Sequence, residues 1–242
     1  MKEGLRAWWR RLWQDRTARP EPGAGVSTER WVLVDVESSG LDARRDRLIA
    51  IAAFAVHFSS RHRIVSGGHA PTPAPEIVMA DHFERVLRQT HEPSAPIDKH
   101  NILIHGLGVG TQRAGDEPAD ALAAWEVYVG ESPLVAYHSD FDRTLIDRAC
   151  REHLGRVVPN PWLDLEPLAA VLHQEAQRRP LDHWLKRYRI ECLARHQAAA
   201  DTLATAQLLL RLWPMLPERV QAGGFKAALD FASGAQFLPG RH

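Results

Sequence analysis

Cysteine, net charge and long apolar runs are all scarce in this chain, and each shortage removes a class of protein. Only Cys150 and Cys192 occur in 242 residues, without CxxC spacing. That argues against a disulfide framework or a zinc knuckle and fits a reducing, cytoplasmic setting. Thirty basic and thirty acidic residues cancel to a formal net charge of zero. No global field draws in nucleic acid, so any such binding must come from a local patch or a metal. No apolar run reaches the roughly 18 residues of a membrane-spanning helix. The basic N-terminus lacks the apolar core and cleavage site of a secretory signal. No internal repeat is present. A hydrophobic fraction of 45% still supplies enough material for an ordinary globular core.

The chain divides into three parts. Residues 1–14 predict a helix, with Leu5, Trp8, Trp9, Leu12 and Trp13 on one face and Lys2, Arg6, Arg10 and Arg11 on the other. Three tryptophans on one short helix call for a cover, which could be the chain's own core, a partner protein or an anionic membrane surface. A Pro/Gly-rich linker follows, closing a segment 1–28. The main domain is expected over 29–214, and 215–242 reads as a tail. Within the domain, 31–36 and 48–58 read as a strand hairpin. Residues 66–76 read as an irregular Pro/Gly loop, and a third strand falls within 77–87. Helices are expected over 117–129, 141–154, 181–188 and 198–213, with a further one running to about 177. Short strands are expected at 133–137 and 161–165. A hairpin followed by strands alternating with helices predicts an α/β fold with a mixed sheet, whose sites gather at strand ends.

The stretch WVLVDVESSGL, 31–41, is an apolar strand that ends with Asp35 and Glu37 two residues apart. Positions two apart share a face, and two buried like charges need a compensating cation. From this stretch alone, metal binding and a solvated strand end both stay open. Asp142 follows another buried strand, in HSDFD, and Asp201 follows His196 by five residues in RHQAAAD. Each aspartate alone reads as well as a helix cap. Together, four carboxylates at one sheet end suit magnesium or manganese rather than zinc. Two such ions could clamp both oxygens of a phosphodiester displacement, with a nearby histidine as general base.

The ordered motifs DVESSG, HSDFD and HQAAAD resemble the DEDD superfamily of 3′–5′ exonucleases, in its DnaQ-like branch with a histidine five residues before the last aspartate. The proofreading epsilon-type exonucleases of DNA polymerase III are the nearest likeness. Ser38 and Ser39 stand where that family carries two threonines, and His138 where it often carries asparagine. The stretch 104–107, IHGL, and Asp164 in LDL also fall on family positions. The resemblance implies a ribonuclease H-like sheet, and two Mg²⁺ or Mn²⁺ ions held by Asp35, Glu37, Asp142 and Asp201. It implies His196 as the base, and Ser38, Ser39, Gly40, Leu41, His138 and Phe141 around the terminal nucleotide. Phe141 and Leu41 could also be core residues. The implied activity is release of nucleoside 5′-monophosphates from single-stranded DNA 3′ ends, in association with a polymerase. An RNA-trimming enzyme and an inactive scaffold are the rival readings.

Overall fold

The structure is a computed structural model that describes residues 28–59, 74–90 and 106–239. The expected N-terminal helix, most of its linker, residues 66–73 of the Pro/Gly loop and the start of IHGL lie outside those residues.

Five strands form one sheet in the order β3-β2-β1-β4-β5. Strands β1 (Thr28–Ser38), β2 (Leu48–Ser59) and β3 (Ala74–Val86) form an antiparallel meander. Strands β4 (Leu134–Ala136) and β5 (Trp162–Asp164) add parallel to the other side of β1. β3 starts at Ala74, so the end of the expected irregular loop is strand.

Both faces of β1 are buried, which explains its unbroken apolar run. Trp31 and Leu33 face one core layer, and Val32, Val34 and Val36 face the other. The second layer is made with α2 (Pro118–Val129) and α3 (Ser139–Leu154), through Leu122, Trp125, Leu145 and Ile146. α1 (Val109–Arg113) is a single turn ahead of it. The first layer is made with α4 (Leu165–His173), α5 (Leu181–Tyr188) and α6 (Ala198–Leu212), through Leu168, Trp184, Leu208 and Leu209. Apolar spacing located all of these except α1.

The expected tail is a correction. A 3₁₀ turn (Trp213–Met215), α7 (Glu218–Ala222), α8 (Gly224–Ser233) and a last 3₁₀ turn (Gly234–Phe237) continue the fold. Phe225, Ala228 and Ala232 of α8 lie in the same core as Trp31. Phe225 meets Trp31 edge-on, with ring centroids 5.1 Å apart, and its amide donates to Glu29 Oε1 at 3.2 Å. Pro214 and Pro217 end α6 as expected, but they turn the chain back onto the sheet rather than away from it.

Candidate active site

Asp35 and Glu37 continue the row of Trp31 and Leu33, because side chains alternate along a strand. That row faces the layer containing α6. Pairing of β1 with β4 stops at Leu33↔Val135. Beyond it the Val36 amide donates to Asp142 Oδ1 at 3.1 Å, which ties α3 to β1 between the two carboxylates.

Asp142 sits in the first turn of α3 and is 4% exposed. The chain reaches that turn through His138, whose φ of 63° is unusual for a residue with a side chain. Asp164 sustains this geometry. Its carboxylate accepts the amides of His138 (3.0 Å), Ser139 (3.2 Å) and Glu166 (2.9 Å), so it fastens the starts of α3 and α4 together. Such left-handed residues cost about 1–3 kcal/mol and persist where surroundings enforce them.

The fourth carboxylate comes from α6. Asp201 Oδ2 accepts the His196 amide at 2.9 Å. Its Oδ1 accepts a hydrogen bond from the Cys192 thiol at 3.3 Å and pairs with Arg195 Nη1. Burial, joined by Asp201, pushes the Cys192 thiol up to about 11, so it stays a neutral donor. His196 is the second left-handed histidine, at φ 62°, and its side chain is exposed. The first helical amide of α6, on Ala198, donates to Glu37. β1 and the start of α6 are thus joined through the Glu37 carboxylate.

The electrostatics answer the question posed by WVLVDVESSGL. Burial and then the charge of Asp201 push Asp35 up to about 8. Burial, then Asp35 and Asp201, push Glu37 up to about 9. Asp142 is held well above the usual carboxylate range by burial and by Asp35. Arg195 opposes the shift at Asp35 and at Glu37 without cancelling it. Four carboxylates therefore repel one another in a site short of positive charge. Among the described residues no three His, Cys, Asp or Glu side chains already converge as a metal cage. Asp201 instead faces Arg195.

The turn after β1 forms the rim. Ser38 Oγ donates to the Gly40 carbonyl at 2.5 Å, and Ser39 Oγ donates to Asp46 Oδ1 at 3.0 Å. A Cβ on Gly40 would meet the Asp46 carboxylate at 2.5 Å, so a side chain there would push Asp46 off its bonds to Ser39 and Asp42. Arg148 of α3 braces the turn from behind through the Ala43 and Asp46 carbonyls. Leu41 at the tip is 95% exposed, which removes the core reading offered for it. Phe141 is half-buried against the α2/α3 core, as its core reading expected. His138 is exposed beside Tyr137, ring centroids 4.7 Å apart.

Two organising residues, Asp46 and Arg195, escaped the sequence reading of the site, and Asp164 was placed by resemblance without a role. Asp164 had a signal, an aspartate between a short strand and a helix, but its bonds to His138 and Ser139 span more than twenty residues. Asp46 lay in a turn that looked merely polar. Arg195 was hidden by its neighbour, the histidine.

Comparison with known proteins identifies the family. Residues 32–209 match the RNase T-type family model described as an exonuclease. The chain is 29% identical over 188 residues to the PolC-type DNA polymerase III of Bacillus subtilis, covering 77% of this chain and 12% of that one. It is 30% identical over 193 residues to a DNA polymerase III subunit epsilon-like protein of Rhodobacter capsulatus, covering 78% and 24%. This chain therefore spans a small part of the length of these relatives. The structure of E. coli exonuclease I in complex with a dT13 oligonucleotide superposes with a TM-score of 0.56 at 20% identity, over 84% of this chain and 45% of that one. At that identity the likeness establishes the fold, a ribonuclease H-like mixed sheet flanked by helices. No helix among the described residues is long and apolar enough to cross a membrane.

Proposed function

Because the chain belongs to the DnaQ-like exonuclease family, we propose that it is a 3′–5′ exonuclease that releases nucleoside 5′-monophosphates from single-stranded DNA ends. The observation that supports this reading is the mutual influence of the site's carboxylates: Asp35 feels Asp201, Glu37 feels Asp35 and Asp201, and Asp142 feels Asp35, while the His196 backbone is tied to Asp201. The donor set is all carboxylate oxygen, and burial first, then neighbouring carboxylates, raises Asp35, Glu37 and Asp142. Carboxylate oxygens are the donor type that Mg²⁺ and Mn²⁺ take, and Asp35, Glu37, Asp142 and Asp201 would hold a pair of such ions. Such ions, when bound, would neutralise charge on the attacked phosphate and on the leaving oxygen.

The chain's own groups do the rest. His196 is exposed on the loop entering α6, and its backbone is fixed through Asp201. Its imidazole takes the proton of the attacking water as general base. The bonded turn of Ser38, Ser39 and Gly40 holds the terminal nucleotide, and Leu41 wedges its apolar side chain against the last base. His138 and the exposed edge of Phe141 complete the rim. DNA is preferred over RNA because the relatives' names are DNA polymerases and the superposed exonuclease I holds a deoxyoligonucleotide.

Labelled single-stranded DNA and matched RNA, each with a free or blocked 3′ end, test the proposal in Mg²⁺ or Mn²⁺. Mononucleotides from free DNA ends are expected. Cleavage of blocked ends overturns the polarity, faster RNA turnover overturns the substrate, and no cleavage of either supports the inactive scaffold.

The basic, tryptophan-bearing segment 1–16 is read as a docking element for a protein partner, such as a polymerase. Removing residues 1–28 should abolish capture by that partner and leave turnover on short oligonucleotides within about twofold. Binding to anionic vesicles would favour a membrane surface instead.

A further inference from the structure

The cation that acts on both Asp35 and Glu37 belongs to the residue just before His196. The guanidinium of Arg195 is held at two places. Its Nε and Nη2 donate to Asp182 Oδ1 and Oδ2 of α5, at 2.6 and 3.3 Å. Its remaining nitrogen, Nη1, lies on Asp201 Oδ1. A guanidinium is a rigid planar fork, so fixing two nitrogens on Asp182 aims the third. Burial works against the charge of Arg195, yet its bonds to Asp182 and Asp201 outweigh burial and hold its pKa above the ordinary value. Asp182 is well exposed and lies outside the four-carboxylate set, so it serves as the anchor, while Asp201 is the contact at which the site is engaged.

Resting on the metal-binding reading above, we propose that Arg195 is a resident counter-cation. It occupies Asp201 until a divalent cation enters, and it thereby sets the metal concentration at which the site fills. Asp201 Oδ1 also accepts from the Cys192 thiol, so both of its lone pairs are taken, and a metal bound through that oxygen has to displace a donor. The guanidinium keeps its charge in the site's neighbourhood through Asp182. Arg195 is thus a positioning residue: it limits repulsion among the carboxylates before loading and competes with loading itself. A purely structural ion pair between α5 and the α6 entry would leave metal affinity unchanged.

Calorimetric titration of Mn²⁺ into the metal-stripped full chain tests this, beside thermal melting in chelator. Arg195→Gln should tighten Mn²⁺ binding by about tenfold or more, since removing a like charge a few ångströms away is worth on the order of that factor even with screening. The same variant should melt lower in chelator and recover with Mn²⁺. Asp182→Asn should alter Mn²⁺ affinity in the wild-type background and much less in the Arg195→Gln background, as residues acting through one another do. Side-chain nitrogen NMR of the wild-type chain needs no variant to survive stripping. The Arg195 Nη signals should shift on saturation with Mg²⁺, while Nε keeps its Asp182 environment. Unchanged or weaker Mn²⁺ binding by Arg195→Gln, or Nη signals indifferent to saturating Mg²⁺, overturns the inference alone. A wild-type chain that binds neither ion overturns the metal-binding reading beneath it.

Discussion

At the start of β1, Arg30 lies against Asp81 and His57; near its end, Asp35 and Glu37 share their space with Asp142 and Asp201. Both groups are withdrawn from water on the same strand. Arg30 Nε and Nη2 donate to the two oxygens of Asp81 at 2.8 Å each, and His57 Nε2 lies 2.8 Å from Oδ2. Tyr128 stacks under the guanidinium, 4.7 Å from ring centroid to Cζ, and donates to the Asp81 carbonyl. Burial would raise Asp81, but Arg30 and His57 outweigh it and hold the carboxyl well below its usual range. Asp35 and Glu37 go the opposite way, to about 8 and about 9. The first group is satisfied within the fold. The second is left short of cations, which is the condition for recruiting one.

The contrast breaks most sharply at the ligands. Asp35→Asn or Asp142→Asn should reduce nuclease turnover by more than the roughly 10²-fold expected for a partner that only supports a metal ligand. Single-turnover assays at saturating Mn²⁺ check this, and near-normal turnover in either variant removes that residue from the metal set. His196→Ala should cost about 10²–10⁴-fold. Its Mn²⁺ affinity by calorimetry should stay within about twofold, and its pH–rate profile should differ from that of the wild type measured beside it. An unchanged profile removes the histidine from the base role.

Asp81→Ala should behave in reverse. It strands a buried guanidinium and should destabilise the protein by about 3–5 kcal/mol in urea unfolding. Turnover by the fraction that remains folded should be unchanged. Loss of turnover at full folding would mean that the two ends of β1 are coupled.

The smallest effect has the most specific sign. Asp35 and Glu37 have folded values of about 8 and 9, above ordinary carboxylate values near 4. Between those limits the native state holds more protons than the unfolded chain, so metal-free stability falls as pH rises. Their contribution is fully present below about pH 4 and lost as pH passes through 8 to 9. Asp81 contributes above about pH 4, and its share is lost in acid as pH falls through its depressed value. In chelator at pH 8.5, Asp35→Asn should raise Tm by about 2–4 °C, the shift that ~1 kcal/mol gives a chain of this size. A fall in Tm would show that the Asp35 charge is already compensated.

Much of this was legible before any coordinates. The apolar period located α5 at Leu181–Tyr188, and a continuous run gave the doubly buried β1. The four carboxylates and His196 were visible because each followed a strand or opened a helix in a fixed order. Tertiary partners were not visible. Asp81 looks like one acid in a half-polar strand until Arg30, fifty-one positions earlier, is placed beside it. α8 was overlooked because two of its buried positions, Ala228 and Ala232, are small and give a weak apolar signal, and because Gly223 and Gly224 read as a break.

The register between β1 and β2 steps between Glu37 and Ser38, where β2 carries Ile49 as an extra residue. Beyond that step, residues 39–47 are tied mainly to themselves: the Ser39 amide donates to the Arg47 carbonyl, the Arg47 amide to Ser39 Oγ, and the Asp42 amide to Asp46. Changes of length or content in this turn are therefore insulated from the alternation that aims Asp35 and Glu37. The turn is a cassette set in a fixed frame. On the function proposed above, rewriting 39–47 would revise which strand ends are admitted while Asp35 and Glu37 stay where β1 aims them.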